Sequence, residues 1–486
     1  MTTTTESDAA RPNPNPSSAP TPAPANEAPL TLDEPAPKIL TGLDQGTFWA
    51  NLGVSLLGFS GMLVVLDPLG TGSPTLSFTA AVTASVVGTL IGTFALGLAA
   101  VTGARTGAPS MVLLRGLFGA KASYLPTVLN ALQMVGWAVF ELVVISTGLQ
   151  ILARQVFGDP GPGWLYVLVA GVVTTALTLR PLGALRLIRR YVTVAVVLAV
   201  LYLGWDLAGR GIPMEGGSWK DFWFATDSVI AVSISWLPLV ADYSRHSRSE
   251  KEAFGGLVVG QTLAGVAGSV LGVAALAMIA FDSTDPYKVF DPFTATSVGV
   301  ICFGVLVLRE VDQSFANVYS TAVSAQNLLP RADRRVLCLI SGALATGLAL
   351  LVNMDSYASF LYLIGAVFIP MFAVLVVDFF VLGGHRTWDV SEQAPTRWVM
   401  LLPWALGFAT YQLIAPTNIA GWSDFWAWLQ GAVGLTVQPW MSASLLSFAV
   451  AALTTLAVGR GRRRAPVAGS GAGADPVAST GRPAGR

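Results

Sequence analysis

The chain has 486 residues, of which 53% are hydrophobic and only 12% are charged, and its mean hydropathy is +0.62. A soluble domain of average composition carries about 25% charged residues, so this composition excludes an ordinary soluble protein. The formal net charge is zero, so no overall field indicates a nucleic-acid partner. The two cysteines, Cys302 and Cys338, form neither a disulfide framework nor a metal-binding pattern.

Apolar segments of about 20 residues, the length that crosses a bilayer, recur along most of the chain. They predict an all-α polytopic membrane protein with twelve transmembrane spans. We place the spans at about residues 43–66, 75–101, 124–157, 163–179, 191–207, 222–241, 254–281, 293–322, 336–352, 358–382, 399–414 and 440–458.

Both ends of the chain differ in composition from the membrane-spanning region between them, 38–459. Residues 1–37 are rich in Pro, Ala, Thr, Ser and Asn, and residues 460–486 in Arg, Gly and Ala, so we predict two disordered tails. Residues 1–37 also lack the pattern of a signal peptide. Fifteen Lys and Arg fall in the loops on one side and four in the loops on the other, which predicts that both tails are cytoplasmic.

The stretch 130–150 combines a spanning helix with a polar stripe. Gln133, Trp137 and Glu141 lie four residues apart, so they share one face of the helix. A carboxylate facing lipid at that depth costs roughly 2.5 kcal/mol or more, so Glu141 is expected to face protein or a water-filled cavity. These residues suit a small, flat, hydrogen-bonding solute. The alternative is that these residues have a structural role, with Trp137 packed inside the helix bundle and Glu141 paired with a group on a neighbouring helix.

Two spans have interruptions. The first contains LLGFSG, and the sixth reads SISWLPLVADYSR with Pro238 inside it. Each opens a block of five spans, at 43–207 and 222–382, and matched interruptions in two halves indicate a transporter's binding site near the midplane. The alternative is that Gly and Pro are simply frequent in membrane helices.

The eighth span carries a polar cluster, VLREVDQSFANVYSTAVSAQN. Arg309 can pair with Asp312 or Gln313 one turn on, while Glu310 and Asn317 fall on a neighbouring stripe. So many polar groups indicate a cavity or an ion path, and we take Asn317 as a further candidate contact for a bound solute. The alternative is a self-neutralised Arg–Asp pair that joins helices.

Three segments resemble the nucleobase–cation symporter family, which contains purine, cytosine, uracil, allantoin and hydantoin permeases. They are GARTGAPSMVLLRGLFGAKASYLP (103–126) leading into QMVGW (133–137), ADYSRHSR (241–248), and FANVYSTAVSAQN (315–327). The segments occur in the family's order, and the resemblance covers about residues 40–455.

The resemblance implies a leucine-transporter-type fold, with a five-plus-five inverted repeat followed by two extra helices at 399–458. It implies a substrate site between helices one, three, six and eight. Trp137 matches the family's stacking tryptophan, and Glu141 matches a position where some members carry an amide. Either Gln133 or Met134 lies near the glutamine of cytosine-type members. Trp236 and Ser233 are candidates for a second ring and a polar contact.

The resemblance also implies a coupling-ion site, formed by carbonyls of the broken first helix and a hydroxyl pair in the eighth. The corresponding residues here are Leu57, Gly58 and Phe59, with Asp312 and Gln313 at the hydroxyl positions. A carboxylate there can hold sodium or carry a proton, so both ions stay open. We expect no cofactor and no metal other than sodium.

We therefore expect cation-coupled uptake of a nucleobase-like heterocycle, with cytosine or a purine first. If Glu141 accepts hydrogen bonds from the substrate, cytosine or guanine is preferred over uracil. The alternatives are a permease for hydroxymethylpyrimidine, a thiamine precursor, and an amino-acid transporter of the same fold. We find no sequence pattern of an enzyme, and we expect a monomer in the plasma (inner) membrane.

Overall fold

The computed structural model describes residues 28–68, 72–182, 191–212, 217–279, 288–352 and 357–464. Within these ranges the regular secondary structure is helical, apart from two isolated bridges between extended residues. Some expectations fall outside the described residues: most of the N-terminal tail (1–27), most of the C-terminal tail (465–486), the end of the seventh span (280–281), and the basic residues Arg186, Arg189 and Arg190.

The longer helices follow the expected spans closely. Their bounds are α1 Gly42–Gly53, α2 Leu56–Leu66, α3 Phe78–Thr106, α4 Ser110–Phe118, α5 Tyr124–Phe157, α6 Gly163–Thr178, α7 Thr193–Gly209, α8 Phe222–Ile234, α9 Leu237–Ser244, α10 Glu250–Ala277, α11 Ser297–Ala325, α12 Arg334–Ala349, α13 Tyr357–Val376, α14 Leu401–Ile414, α15 Trp422–Val433 and α16 Ala443–Arg464.

Five helical segments of the described chain are long and apolar enough to cross a membrane, and the bent pair α1 and α2 makes a sixth. Four further apolar helices are shorter. The eighth and ninth expected spans, α11 and α12, fall outside both groups. Three charged residues lie near the middle of α11, and α12, which has only 16 residues, begins with two arginines.

The first span is sharply broken, as expected. Helices α1 and α2 meet at an angle of 58°, with Val54 and Ser55 extended between them. The Ser55 hydroxyl accepts a hydrogen bond from the Gly58 N–H at 3.2 Å, so it caps the new helix.

The interruption of the sixth span is milder than the sequence suggested. Ser235 and Trp236 between α8 and α9 keep right-handed helical dihedral angles, and the Ser235 N–H still bonds to the Ala231 carbonyl at 2.9 Å. Pro238 lies in the first turn of α9, where a missing N–H breaks no helical hydrogen bond. The span therefore passes as one apolar segment, Phe222–Ser244.

The helices pack in two groups, with the break of the first span between them. Helices α1, α3, α8, α9 and α10 contact one another, and α5, α6, α11 and α12 form the second group, while α2 touches both. Small residues permit close approach within the first group. A Cβ on Gly256 would lie 2.3 Å from the Gly42 carbonyl oxygen, and one on Gly92 would lie 2.3 Å from the Ser233 Cβ.

Residues 28–37, expected to belong to a disordered tail, lie against the ends of the helices instead. The Leu30 carbonyl accepts a hydrogen bond from Gln326 Nε2 at 2.7 Å. The Pro37 carbonyl lies 3.1 Å from Nδ1 of His246, and burial lowers the pKa of His246 well below its usual value. The buried side chains of Gln326 and His246 thus contact backbone carbonyls of residues 28–37, a segment that contributes few residues to the hydrophobic core.

Three helical features were missed by the sequence analysis. Helix α4, inside the motif 103–126, is buried along its whole length. Helix α15 buries Trp426 but exposes 65% of Trp428, and exposed aromatic residues on an amphipathic helix are typical of a membrane interface. Helix α16 continues to Arg464, beyond the expected boundary at 459.

Candidate functional site

A cavity of about 70 Å³ lies beside the break between α1 and α2. Helices α3, α5, α8, α10 and α11 and the start of α13 complete its wall. Seven residues singled out from the sequence line it: Leu57, Gly58, Phe59, Trp137, Ser233, Trp236 and Gln313. Residues from four separate spans therefore meet at one place.

Trp137 is the aromatic side chain that α5 contributes to this wall. Its ring makes edge contacts with Phe360 at 5.3 Å and Tyr357 at 6.0 Å between ring centroids. These contacts fix the plane of the indole. Its Nε1–H is buried and has no hydrogen-bond partner among the described residues, so it is a donor available to a bound molecule.

Trp236 is the second tryptophan in the wall, at the junction of α8 and α9. Its ring stands edge-on to Trp49 of α1, with 6.3 Å between centroids. Trp49 is in turn held by a hydrogen bond from its Nε1 to Gln45 Oε1 at 3.0 Å. The position of Trp236 is therefore tied to the broken first span.

Five polar lining residues were not expected from the sequence: Ser55, Thr89, Gln261, Ser269 and Tyr357. The Gln261 side chain lies in α10, and its Oε1 is buried without a partner in the part of the chain that the structure describes. Gln133 drew attention because it shares a stripe with Trp137 and Glu141, and an amide within an apolar span is a separate signal that could have found Gln261.

Three of the expected substrate contacts do not line the cavity: Gln133, Glu141 and Asn317. Gln133 donates from Nε2 to the Ser235 carbonyl at 3.0 Å, so it joins α5 to the junction of α8 and α9. Asn317 is buried, and neither polar atom of its side chain has a partner among the described residues.

Glu141 is fully buried and faces α11. Its carboxyl group lies within hydrogen-bonding range of the Glu310 carboxyl. Glu310 Oε1 accepts hydrogen bonds from the Leu56 N–H at 2.6 Å and from Arg309 Nη1 at 2.9 Å. A helix N-terminus attracts a carboxylate through its free N–H groups, which explains why Glu310 lies at the start of α2.

The expected coupling-ion residues are only partly brought together. Leu57, Gly58 and Phe59 form the first turn of α2, which presents N–H groups at the break because helical carbonyls point towards the C-terminus. Gln313 Oε1 accepts a hydrogen bond from Arg309 Nη1 at 2.6 Å. Asp312 is buried outside the cavity wall. The guanidinium group of Arg309 thus lies among the side chains that were expected to bind the coupling cation.

The motifs that carried the resemblance join helices to one another. The Ser110 N–H at the start of α4 donates to Asp242 Oδ1 at 2.9 Å. Arg115 donates from Nε to Asn327 Oδ1 at 2.6 Å, and Asn327 Nδ2 donates to Thr127 Oγ1 at 2.8 Å. The three motifs therefore hold the scaffold around the cavity.

Replacing Arg115 with methionine should destabilise the protein without changing which ligands it binds. The change removes the bonds to the Asn327 side chain and carbonyl, and hydrogen bonds to charged groups are worth about 1.5–3 kcal/mol each. Thermal unfolding of the purified protein in detergent measures the loss. Arg331→Met is the control because Arg331 is exposed. Equal melting temperatures for the two variants would contradict the assigned role.

The fold is one that solved transporter structures share. The structure is similar to that of Mhp1, a nucleobase-cation-symport-1 family transporter in a closed conformation with bromovinylhydantoin bound, at a TM-score of 0.66 and 14% identity over 88% of this chain and 99% of that one. It is also similar to a Na⁺-coupled sialic acid symporter, at a TM-score of 0.58 and 11% identity over 89% of this chain and 92% of that one.

The chain belongs to the family of permeases for cytosine/purines, uracil, thiamine and allantoin, whose sequence pattern matches residues 49–392. It is 25% identical to the cytosine permease of Escherichia coli K12 over 63% of this chain and 72% of that protein. It is 26% identical to the allantoin permease of Bacillus subtilis 168 over 59% of this chain and 66% of that protein. The family expected from three motifs is confirmed, and the protein is a multi-pass membrane permease rather than an enzyme.

Proposed function

We propose that this protein takes up a nucleobase-like heterocycle together with a cation, by alternating access, with cytosine or a purine as the first substrates to test. The observation that carries the proposal is that Trp137 and Trp236 line one cavity at the break of the first span. A donor, Trp137 Nε1, and an acceptor, Gln261 Oε1, belong to the same wall, and neither has a partner among the described residues. A flat ring with polar edges stacks on an indole and bonds to such groups.

The membrane arrangement that goes with this function has twelve spans. We propose that residues 43–207 and 222–382 form an inverted repeat and that 399–458 contains two extra helices. The protein lies in the plasma (inner) membrane, with both termini in the cytoplasm. The similarity to solved transporter structures and the excess of basic residues on one side support this arrangement. We propose a monomer as the working unit.

The choice of substrate depends on which polar groups reach it. The expected preference for cytosine over uracil requires Glu141 to contact the substrate, whereas Glu141 here faces Glu310. Gln261 lines the cavity and offers an acceptor in its place. Hydroxymethylpyrimidine has an exocyclic amine and remains an alternative substrate, as does an amino acid.

Thermal-shift measurements on the purified protein test the proposal directly. The ligands are cytosine, adenine, uracil, allantoin, hydroxymethylpyrimidine and leucine, each with and without sodium. A ligand at 100 times its Kd stabilises the folded protein by about 2.7 kcal/mol, so a true substrate should raise the melting temperature.

The matched control ligand is cytidine, which carries the same base and adds a ribose that a site for a free base has to exclude. We expect cytosine or adenine to shift the melting temperature and cytidine to leave it unchanged. A shift with leucine alone would contradict the proposed function and favour an amino-acid transporter.

A further inference from the structure

Glu141 and Glu310 form a carboxyl pair behind the cavity wall. Both side chains are fully buried, and the two carboxyl groups lie within hydrogen-bonding range of each other. Both oxygens of Glu141 and Oε2 of Glu310 have no donor among the described residues. Two carboxylates cannot hydrogen-bond to each other, because both only accept. A single proton between them would pair one oxygen of Glu141 with Oε2 of Glu310.

The charges around the pair favour such a proton. Arg309 is the neighbouring cation, and its Nη1 binds Glu310 and Gln313. Asp312 on α11 is a third buried carboxyl group near Arg309 and Glu310, and Tyr357 from α13 lies close to both glutamates. One guanidinium therefore faces three carboxyl groups, and uncompensated charge is costly inside a protein.

The pair also touches the parts of the molecule that alternating access must move. Glu310 on α11 binds the Leu56 N–H at the start of α2 at 2.6 Å. Glu141 follows Trp137 by one turn of α5, so the two side chains share a helix face. A change of charge at the pair therefore acts on the broken helix and on the cavity wall together.

We propose that the Glu141–Glu310 pair is the site that carries the coupling proton. This inference rests on the proposed symport and names its driving ion. A proton from water on one side binds a carboxylate oxygen of Glu141, and the new O–H donates to Glu310 Oε2. After the conformational change the O–H bond breaks and the proton passes to water on the other side. One positive charge thus crosses with each neutral substrate molecule.

The experiment uses the full-length protein in liposomes with radiolabelled cytosine, and with adenine or allantoin if cytosine is not exchanged. Two assays are compared: accumulation driven by a pH gradient, acidic outside, and counterflow exchange without any gradient. With one proton per substrate, a one-unit pH difference holds at most about a tenfold concentration ratio. Counterflow needs no net release of the proton.

We expect Glu141→Gln and Glu310→Gln each to lose pH-driven accumulation and to keep counterflow. An amide fills the same space, so retained counterflow also shows that each variant is folded. The matched control is Glu250→Gln, because Glu250 pairs with Arg105 at the surface with 38% of its side chain exposed. Glu250→Gln should behave as the wild type does.

Three results would overturn the inference and leave the proposed function standing. They are accumulation driven by a sodium gradient but not by a pH gradient, pH-driven accumulation retained in both glutamine variants, and loss of counterflow along with accumulation in both variants. Absence of counterflow of cytosine, adenine and allantoin by the wild-type protein would instead contradict the proposed function itself.

Discussion

Trp137→Ala should weaken substrate binding strongly while the protein stays folded. The indole lines the cavity, and Phe360 and Tyr357 hold its plane. Stacking of a base on an aromatic side chain is worth about 1–3 kcal/mol, so affinity should fall by roughly 5- to 150-fold. Trp137→Phe should show an intermediate loss, because a smaller ring keeps part of the stacking and lacks the Nε1–H. Binding of radiolabelled cytosine to purified protein measures the effect.

Trp426→Ala is the matched control for this change. Trp426 and Trp137 are each 6% exposed, and Nε1 of each lacks a partner among the described residues. Trp426 lies in α15 and does not line the cavity. Its loss should cost stability through lost packing and leave the Kd unchanged. Similar Kd values for Trp137→Ala and Trp426→Ala would refute the stacking role.

Arg309→Gln should lower the stability of the protein more than any surface substitution. Arg309 is 1% exposed, and its Nη1 binds Glu310 at 2.9 Å and Gln313 at 2.6 Å. Removing one partner of a buried ion pair typically costs 3–5 kcal/mol, because the other charge is left uncompensated, and a loss of about that size is expected here. The melting temperature and the monodisperse fraction in detergent should both fall.

The double variant Arg309→Gln/Glu310→Gln separates the charge from the packing. Neutralising Glu310 as well should recover much of the lost stability, since the two residues are in contact and their effects are not additive. Arg105→Gln is the surface control. Its pair with Glu250 is more than a third exposed on both sides, and exposed pairs contribute about 0–1 kcal/mol. A double variant less stable than Arg309→Gln would contradict the charge argument.

Some features could be predicted because they depend on local pattern. A long apolar run predicts a spanning helix whatever its neighbours are. The LLGFSG segment indicated a break in the first span, although the break lies just before it, at Val54 and Ser55. The four-residue spacing of Gln133, Trp137 and Glu141 identified the inward face of α5, and all three side chains are buried.

Other features depend on contacts between distant segments. Spacing along α5 says which face Glu141 occupies, but Glu310 lies opposite only because α5 packs along α11. Residues 28–37 have the composition of a disordered tail, yet Gln326 and His246 bind their carbonyls. The motifs that revealed the family proved to join helices, as Arg115 does with Asn327.

The sequence by itself determined the membrane-spanning class, the broken first helix, the family and the inward face that holds Trp137. Helical periodicity and apolar length carry that information, because both are properties of one segment at a time. The tertiary structure alone decided that Gln261 joins the cavity and that Glu141 meets Glu310 instead. A helix face defines a direction, and only the packing of a second helix against it decides which group a side chain meets.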